Sequence, residues 1–185
     1  MNPNRLQEIE LIKSCQRGDS KAQETLYARY ADRMFRVGFR YIKSQVDTED
    51  VLITAFTKVY SGINEFTYQG EGSLPAWIKK IVINEALMWL RRRHNFNLAE
   101  SIDEATVAPE LGQFSRLDAE DIYQFITQLP AGYRTVFNLY VIEGYTHQEI
   151  AASLAIAEST SRTQLFKAKA QLKKMLTKEG FHYGT

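Results

Sequence analysis

The fold is most clearly indicated by residues 143–174, EGYTHQEIAASLAIAESTSRTQLFKAKAQLKK. Thr146 and Glu149 have the Thr-x-x-Glu spacing of a capping box, which predicts a short helix through Leu154. The tripeptide AIA, residues 155–157, predicts a turn, and a longer helix is expected to run to about Lys178. A short helix, a tight turn and a longer helix together predict a helix-turn-helix.

The longer helix has two different sides. Residues 159–178 contain six basic residues and no acidic one, whereas a solvated helix usually mixes both signs. A helix of about 100° per residue separates a packing set from an exposed set. The packing set is Ser161, Leu165, Ala168, Leu172 and Met175, and the exposed set is Arg162, Phe166, Lys169 and Lys173. We expect the exposed set to contact bases and phosphates of DNA. The alternative is an ordinary basic surface helix, and the exposed Phe166, which can contact a thymine methyl, favours DNA.

The rest of the chain predicts an all-α protein. Most apolar residues recur at spacings of three and four, and 44% of the 185 residues are hydrophobic, enough for a globular core. Asp19 or Ser20 is expected to cap one helix and Ser73 another, with Pro75 in its first turn. Further helices are expected at 46–60, at 117–129 and at 131–143.

Residues 96–116 are predicted to be a linker, because they contain Pro109 and Gly112 and show no sustained period. The sequence therefore predicts two domains, at 1–95 and 117–185.

The first predicted domain has a basic cluster of its own. Lys79, Lys80, Arg91, Arg92 and Arg93 bracket an apolar segment in which only Glu85 opposes them. Asn84 shares a helical face with Lys80 and Arg91. Its amide can both donate and accept, so Asn84 either reads a base or is satisfied by neighbouring backbone.

Several single residues are predicted to be structural. Cys15 is expected to be buried and inert, and His147 is expected to be a solvated first-turn residue. The expected core aromatics are Trp77, Trp89, Tyr133, Phe137, Tyr140 and Tyr145, with Ile78 and Val82 beside them.

Other function classes find little support in the sequence. The formal charge of +1 gives no global case for nucleic-acid binding, so the case is local. One cysteine and three scattered histidines predict no metal site, and no cofactor loop or nucleophile setting occurs. We expect neither catalysis nor a small-molecule substrate. The chain shows no signal peptide and no apolar run of membrane length, which predicts a cytoplasmic protein without membrane insertion.

Three segments together resemble the extracytoplasmic-function group of the sigma-70 family of transcription initiation factors. DTEDVLITAFTKVY, residues 47–60, is similar to the group's D-x-E-D-x-x-Q-x-x-F-x-x-x-(W/Y) pattern. GEGSLPAWIKKIVINEALMWLRRRH, residues 70–94, is similar to its promoter-melting segment, and residues 129–176 are similar to its C-terminal domain. The resemblance implies a sigma region 2-like bundle followed by a region 4-like helix-turn-helix.

The resemblance also implies partners and roles. The first domain would bind the clamp helices of the largest subunit of core RNA polymerase through Asp47, Asp50, Phe56 and Tyr60. The polymerase flap is a further implied contact of the chain. It would engage the promoter −10 element through Lys79, Lys80, Asn84, Arg91, Arg92 and Arg93, with the loop 66–73 holding a flipped base. The second domain would read the −35 element through Ser159, Thr160, Arg162, Thr163, Phe166, Lys167, Lys169 and Lys173. An anti-sigma factor is a further implied partner.

The chain departs from the group's pattern at several positions. Ile53 and Thr54 stand where Gln and Glu are usual, so a hydrophobic contact is expected there. In the helix-turn-helix, Ala155 replaces a glycine and is expected to avoid positive φ, while Ala157 replaces a capping serine, so Ser159 is expected to cap. Ser161 and Gln164 stand where Val and Arg are frequent. These departures are expected to alter the target sequence or the helix start rather than the class of protein.

Two alternative functions belong to other classes. A stand-alone helix-turn-helix repressor or activator explains the second domain but gives no role to the basic cluster of the first. A helical adaptor that binds only protein, or a cryptic enzyme, explains neither basic surface.

Overall fold

A computed structural model of the chain describes residues 3–94 and 119–179, and in those ranges it is helical without a strand. The predicted all-α class is therefore confirmed. The α-helices are α1 (Pro3–Gln16), α2 (Ser20–Ile42), α3 (Gln45–Gly62), α4 (Ser73–Arg93), α5 (Ala119–Gln128), α6 (Ala131–Phe137), α7 (His147–Leu154) and α8 (Glu158–Lys178). A π-helix, Asn138–Ile142, follows α6 directly. None of the helices in the described ranges has the length and hydropathy that a membrane span requires.

The chain divides into two compact units, Met1–Trp89 and Leu90–Thr185. The predicted linker, 96–116, lies outside the described residues. The predicted domain limits at 95 and 117 therefore remain predictions.

Helix α1, which the sequence reading did not delimit, closes one side of the first unit. Its residues Leu11, Ile12 and Cys15 are buried, so the prediction for Cys15 is confirmed, and burial raises the pKa of its thiol. The Tyr30 hydroxyl of α2 donates to Glu8 Oε1 of α1 at 2.8 Å. Burial, helped by that hydrogen bond, raises the pKa of Tyr30 to about 12.

Helix α2 forms the long support of the first unit. Asp19 caps it by accepting from the backbone N–H groups of Lys21 and Ala22, as one of the two predicted caps. The apolar residues along one side of α2 are buried, namely Ala22, Leu26, Tyr30, Met34, Val37 and Tyr41. At Gly38, an added Cβ would lie 3.1 Å from Thr48 Cγ2, so the glycine allows α2 and α3 to approach closely.

Helix α4 begins at Ser73, but the predicted cap by Ser73 is wrong. The Ser73 hydroxyl instead donates to Gly70 O at 2.7 Å and accepts from the Gln69 N–H at 3.3 Å. Ser73 therefore stabilises the preceding loop, whose Gly70 and Gly72 have positive φ. Pro75 lies in the first turn as predicted, and Ile78 and Val82 are fully buried.

The predicted single helix over 131–143 is two elements, because α6 changes to a π-helix at Asn138. The i→i+5 hydrogen bonding of a π-helix shifts the helical phase of the residues that follow. Tyr133 and Phe137 precede the shift and are buried, as predicted. Tyr140 lies within it and is 39% exposed, so its predicted core position is wrong. Tyr145 is only half-buried.

Arg134 of α6 is a buried cation that the sequence analysis did not identify. It is 5% exposed, and its guanidinium donates to Leu129 O at 2.7 Å. Burial lowers its pKa to about 10. Leu129 precedes Pro130 and α6 follows it, so this hydrogen bond fixes the direction in which the chain enters α6.

Candidate nucleic-acid interface

Helices α7 and α8 and the turn between them form the predicted helix-turn-helix. Thr146 accepts from the Glu149 N–H and Glu149 Oε2 accepts from the Thr146 N–H, so both halves of the predicted capping box are present. Helix α7 ends at Leu154 and α8 begins at Glu158, which confirms 155–157 as the turn.

The turn itself differs from the prediction. Ala155 has φ 55° and ψ 46°, in the left-handed region that it was expected to avoid. The N–H of Ile156 bonds to Ala151 O at 3.1 Å, and the N–H of Ala155 also bonds to Ala151 O. These bonds satisfy a backbone carbonyl at the end of α7. They require a left-handed conformation at position 155, and this requirement outweighs the steric preference of alanine for negative φ.

The start of α8 also differs from the prediction. Ala157 is the N-cap, and it offers no side-chain acceptor to the first turn. Ser159 lies inside the helix rather than before it, so its predicted capping role is wrong. The N–H groups of the first turn are therefore open to another acceptor, because a cap side chain would normally satisfy one of them.

The two sides of α8 have the predicted difference in burial. Ser161, Leu165, Ala168 and Leu172 are buried, whereas Met175 is half-buried. Of the predicted −35 residues, Ser159, Arg162, Thr163, Phe166 and Lys173 are exposed, and Thr160, Lys167 and Lys169 are half-buried. Arg162 pairs with Glu158 one turn earlier, a surface ion pair worth only a few tenths of a kcal/mol.

Gln164 faces the core and not the exposed side of α8. It is 6% exposed, and a Cβ added at Gly132 of α6 would lie 3.1 Å from Gln164 Oε1. Gln164 therefore has no exposed side chain with which to contact DNA directly, and its expected effect on the target sequence remains a prediction. Gln164 instead fixes the approach of α6 to α8.

His147 connects three elements of the second unit. Its Nδ1 lies 2.9 Å from Ser161 Oγ of α8, and its ring stacks on Tyr140 with centroids 4.5 Å apart. Burial, followed by the nearby Arg162, lowers the pKa of His147. His147 is a first-turn residue, as predicted, but it is half-buried against Ser161 and Tyr140 rather than fully solvated.

The basic cluster of α4 is presented to solvent. Lys80, Asn84, Arg91, Arg92 and Arg93 are exposed, and Lys79 is half-buried. Asn84 is thus available to a ligand on the same helical face as Lys80. Glu85 does not oppose the cluster as expected, because it is 8% exposed and accepts from Lys58 Nζ of α3 at 2.6 Å.

Two contacts anchor the beginning of the loop 66–73. The Phe66 and Trp77 rings lie 4.9 Å apart, and Gln16 Nε2 of α1 donates to Ile63 O at 3.0 Å, just before the loop. Trp77 and Trp89 of α4 were both predicted to be core residues. Both are half-buried instead, and Trp77 is the one that contacts Phe66. The loop is therefore anchored beside the start of α4.

The four predicted polymerase-binding residues of α3 are not equally accessible. Asp50 is exposed and Asp47 is half-buried. Phe56 is 2% exposed and lies edge-on to Tyr27 at 4.8 Å, so its predicted role as a surface contact is not supported. The half-buried Tyr60 donates to Gln23 O at 3.1 Å.

The exposed face of α3 instead presents apolar side chains. Val46 is 69% exposed and Ile53 is 60% exposed, and both lie on the same side as Asp50. Val46 was not identified from the sequence. The sequence signal for Val46 was its spacing of seven residues from Ile53, which places both on the helical side that carries Asp50.

Two family matches account for more than half of the chain. Sigma-70 region 2 matches residues 26–96, and Sigma-70, region 4 matches residues 119–172. The chain belongs to the sigma-70 family. The first match contains α3, α4 and the loop between them, and the second contains the helix-turn-helix.

Relatives of this sigma factor match it over nearly its whole length. The RNA polymerase sigma-H factor of Pseudomonas aeruginosa is 25% identical, covering 92% of this chain and 94% of the relative. The ECF RNA polymerase sigma-E factor of Haemophilus influenzae is 29% identical, covering 88% and 91%. A solved structure of the sigma factor RpoE in complex with the anti-sigma factor NepR from Bartonella quintana is 19% identical, covers 83% of this chain and 96% of that chain, and has a TM-score of 0.49.

The predicted resemblance to the extracytoplasmic-function group is therefore confirmed. The sigma factor is a transcription initiation factor, because its region 2 and region 4 domains are those that bind core RNA polymerase and promoter DNA.

Proposed function

We propose that this sigma factor reads the −35 element with α8 and opens the −10 element with α4 and the loop 66–73. The observation that carries the proposal is the division of α8 into a buried side and an exposed side. Arg162 and Phe166 are exposed while Leu165 and Leu172 are buried, so the helix is held in one orientation with its basic side outward. Such a helix can enter a major groove.

The −10 contacts rest on α4. Asn84 and Lys80 are exposed on one face of a helix whose other side is fully buried, so an amide and a cation are offered together. The amide suits base recognition and the cation suits a phosphate. The anchored loop 66–73 supports the proposal of a pocket for an unstacked base.

We assign polymerase binding to the exposed side of α3. Asp50 and Ile53, with Val46, supply one carboxylate among apolar side chains, and Phe56 is left out because it is buried. Contact with the clamp helices would then combine one charged and several hydrophobic interactions.

The remaining proposals concern the whole chain. We propose a first domain at 1–95 and a second at 117–185, joined by a linker. Promoter choice is the task of this chain and the chemistry is that of the polymerase, so the chain is not an enzyme and works in the cytoplasm, where promoter DNA is. An anti-sigma factor is a proposed partner, as for the solved relative RpoE, which was crystallised with one.

Transcription in vitro tests the proposal directly. Purified core polymerase on genomic fragments should make promoter-specific transcripts only when the full chain is added. Gel filtration should show the chain eluting with the core, whereas a stand-alone repressor would ignore the core and self-associate. Absence of both stimulation and co-elution would contradict the proposal.

Matched double variants of α8 test its orientation on DNA. Arg162→Ala with Lys167→Ala should abolish −35 selectivity and leave co-elution with the core intact. The control, Lys174→Ala with Lys178→Ala, removes two cations from the far end of the same helix and should retain that selectivity. Equal losses in the two double variants would mean that α8 contributes only general positive charge.

A separate variant tests the −10 contact. Asn84→Ala should lose about 1–3 kcal/mol of discrimination at one −10 position. A uniform loss across all −10 sequences would indicate that Asn84 is structural.

A further inference from the structure

The outer face of α2 carries a second basic surface that the sequence analysis did not identify. Its cations recur at spacings of four and three, so they lie within an arc of about 60° on a helix of 100° per residue. Asp32 is the only acidic residue in the same stretch. We call this surface the α2 ridge, and its members are Arg29, Arg33, Arg36 and Arg40.

The α2 ridge points away from the core of its unit. Arg33 and Arg36, at its centre, are exposed, while Met34 and Val37 beside them are buried. Within residues 3–94 and 119–179, neither Arg33 nor Arg36 forms an ion pair with a carboxylate. Like charges one turn apart repel each other by a few tenths of a kcal/mol, so this arrangement costs stability in the free protein.

An aromatic pair borders the α2 ridge. Phe35 and Phe39 are each half-buried, and their rings stack with centroids 5.9 Å apart and planes 21° apart. Phe39 lies about 60° around the helix from Arg36. Part of each ring therefore remains accessible next to the cations.

We propose that the α2 ridge and the Phe35–Phe39 pair form a binding surface for single-stranded DNA. Cations that follow a strand, combined with aromatic rings on which bases stack, are how proteins bind single strands without sequence preference. An acidic protein segment would also match the charge, but it gives no role to the accessible rings. The proposal rests on the proposed function in one respect, because promoter opening is what would supply the single strand.

The test uses the full chain and a labelled oligonucleotide of fifteen thymidines, followed by fluorescence anisotropy over a series of salt concentrations. Arg33→Ala with Arg36→Ala should reduce the slope of log affinity against log salt by about 1.4, since each single-strand phosphate contact contributes about 0.7. The control, Lys13→Ala with Lys21→Ala, removes two exposed cations outside the α2 ridge and should leave the slope unchanged. Phe39→Leu should weaken binding about fivefold and preserve packing.

Several outcomes would overturn the proposal. Absence of binding by the wild-type chain would do so, as would equal slopes for the two double variants. An unchanged slope combined with lost co-elution with core polymerase would identify the α2 ridge as a protein-docking surface. The proposed function is judged separately, because a wild-type chain that binds the oligonucleotide but fails to stimulate transcription would refute the function and leave the α2 ridge standing.

Discussion

Ala155→Gly is expected to stabilise the helix-turn-helix, although it removes a methyl group. Ala155 has φ 55° and ψ 46° and is exposed, so its methyl group makes no core contact that the substitution would lose. The left-handed conformation costs an alanine about 1–2 kcal/mol, and glycine avoids this cost. Glycine also lowers stability by about 0.4–1 kcal/mol, because it gives the unfolded chain more conformational freedom. The net gain should be about 0.5–1 kcal/mol.

Ala152→Gly is the matched control for this prediction. Ala152 is also exposed but lies inside α7, where glycine should cost about 0.5–1 kcal/mol. The same chemical change three residues apart should therefore alter stability in opposite directions.

Amide hydrogen exchange in α7 and α8 measures the free energy of unfolding of the second unit, which contains both substitutions. Tryptophan fluorescence reports the first unit, because Trp77 and Trp89 both lie there, and it should be unchanged in both variants. If Ala155→Gly destabilised the second unit as much as Ala152→Gly, the left-handed turn at Ala155 would be refuted.

Three further predictions concern caps, protons and charge. Ala157→Ser should supply the missing cap of α8 and stabilise it by about 1 kcal/mol in urea unfolding, whereas Ser159→Ala should have almost no effect. The pKa of His147 is lowered in the folded state. Its contribution to stability is therefore present above the unfolded pKa of about 6.5 and is lost as pH falls through the folded pKa. His147→Gln should remove this part of the decrease in melting temperature at acid pH. Lys58→Ala leaves the buried Glu85 without its partner and should cost more than Glu85→Gln, by about 1–2 kcal/mol in thermal unfolding; equal costs would mean that the ion pair contributes little.

The helices predicted from the sequence were those whose signals are local. Thr146 and Glu149 form the capping box within four residues, and the periodicity of α8 separates its buried and exposed sides without reference to other helices. The shared helical face of Asn84 and Lys80 followed from their spacing in the same way, and both side chains are exposed. What each of these side chains binds is still a proposal.

The errors arose where tertiary packing decides the conformation. Ala155 adopts the left-handed region because hydrogen bonds at the end of α7 require it, and no propensity of alanine indicates this. Tyr140 moved to the surface because of the phase shift in the π-helix. Phe56 was assigned to the surface by family resemblance, although it follows Leu52 by four residues on the buried stripe of α3.

The contact between Gly132 and Gln164 constrains how this sigma factor can diverge during evolution. Because a methyl group at position 132 would approach Gln164 Oε1 to 3.1 Å, a larger residue there is tolerated only if position 164 becomes smaller or its side chain moves away. Homologous chains should therefore exchange these two positions as a pair, with combined volume kept nearly constant. An ancestral lineage would therefore have acquired the glutamine only after the glycine was in position.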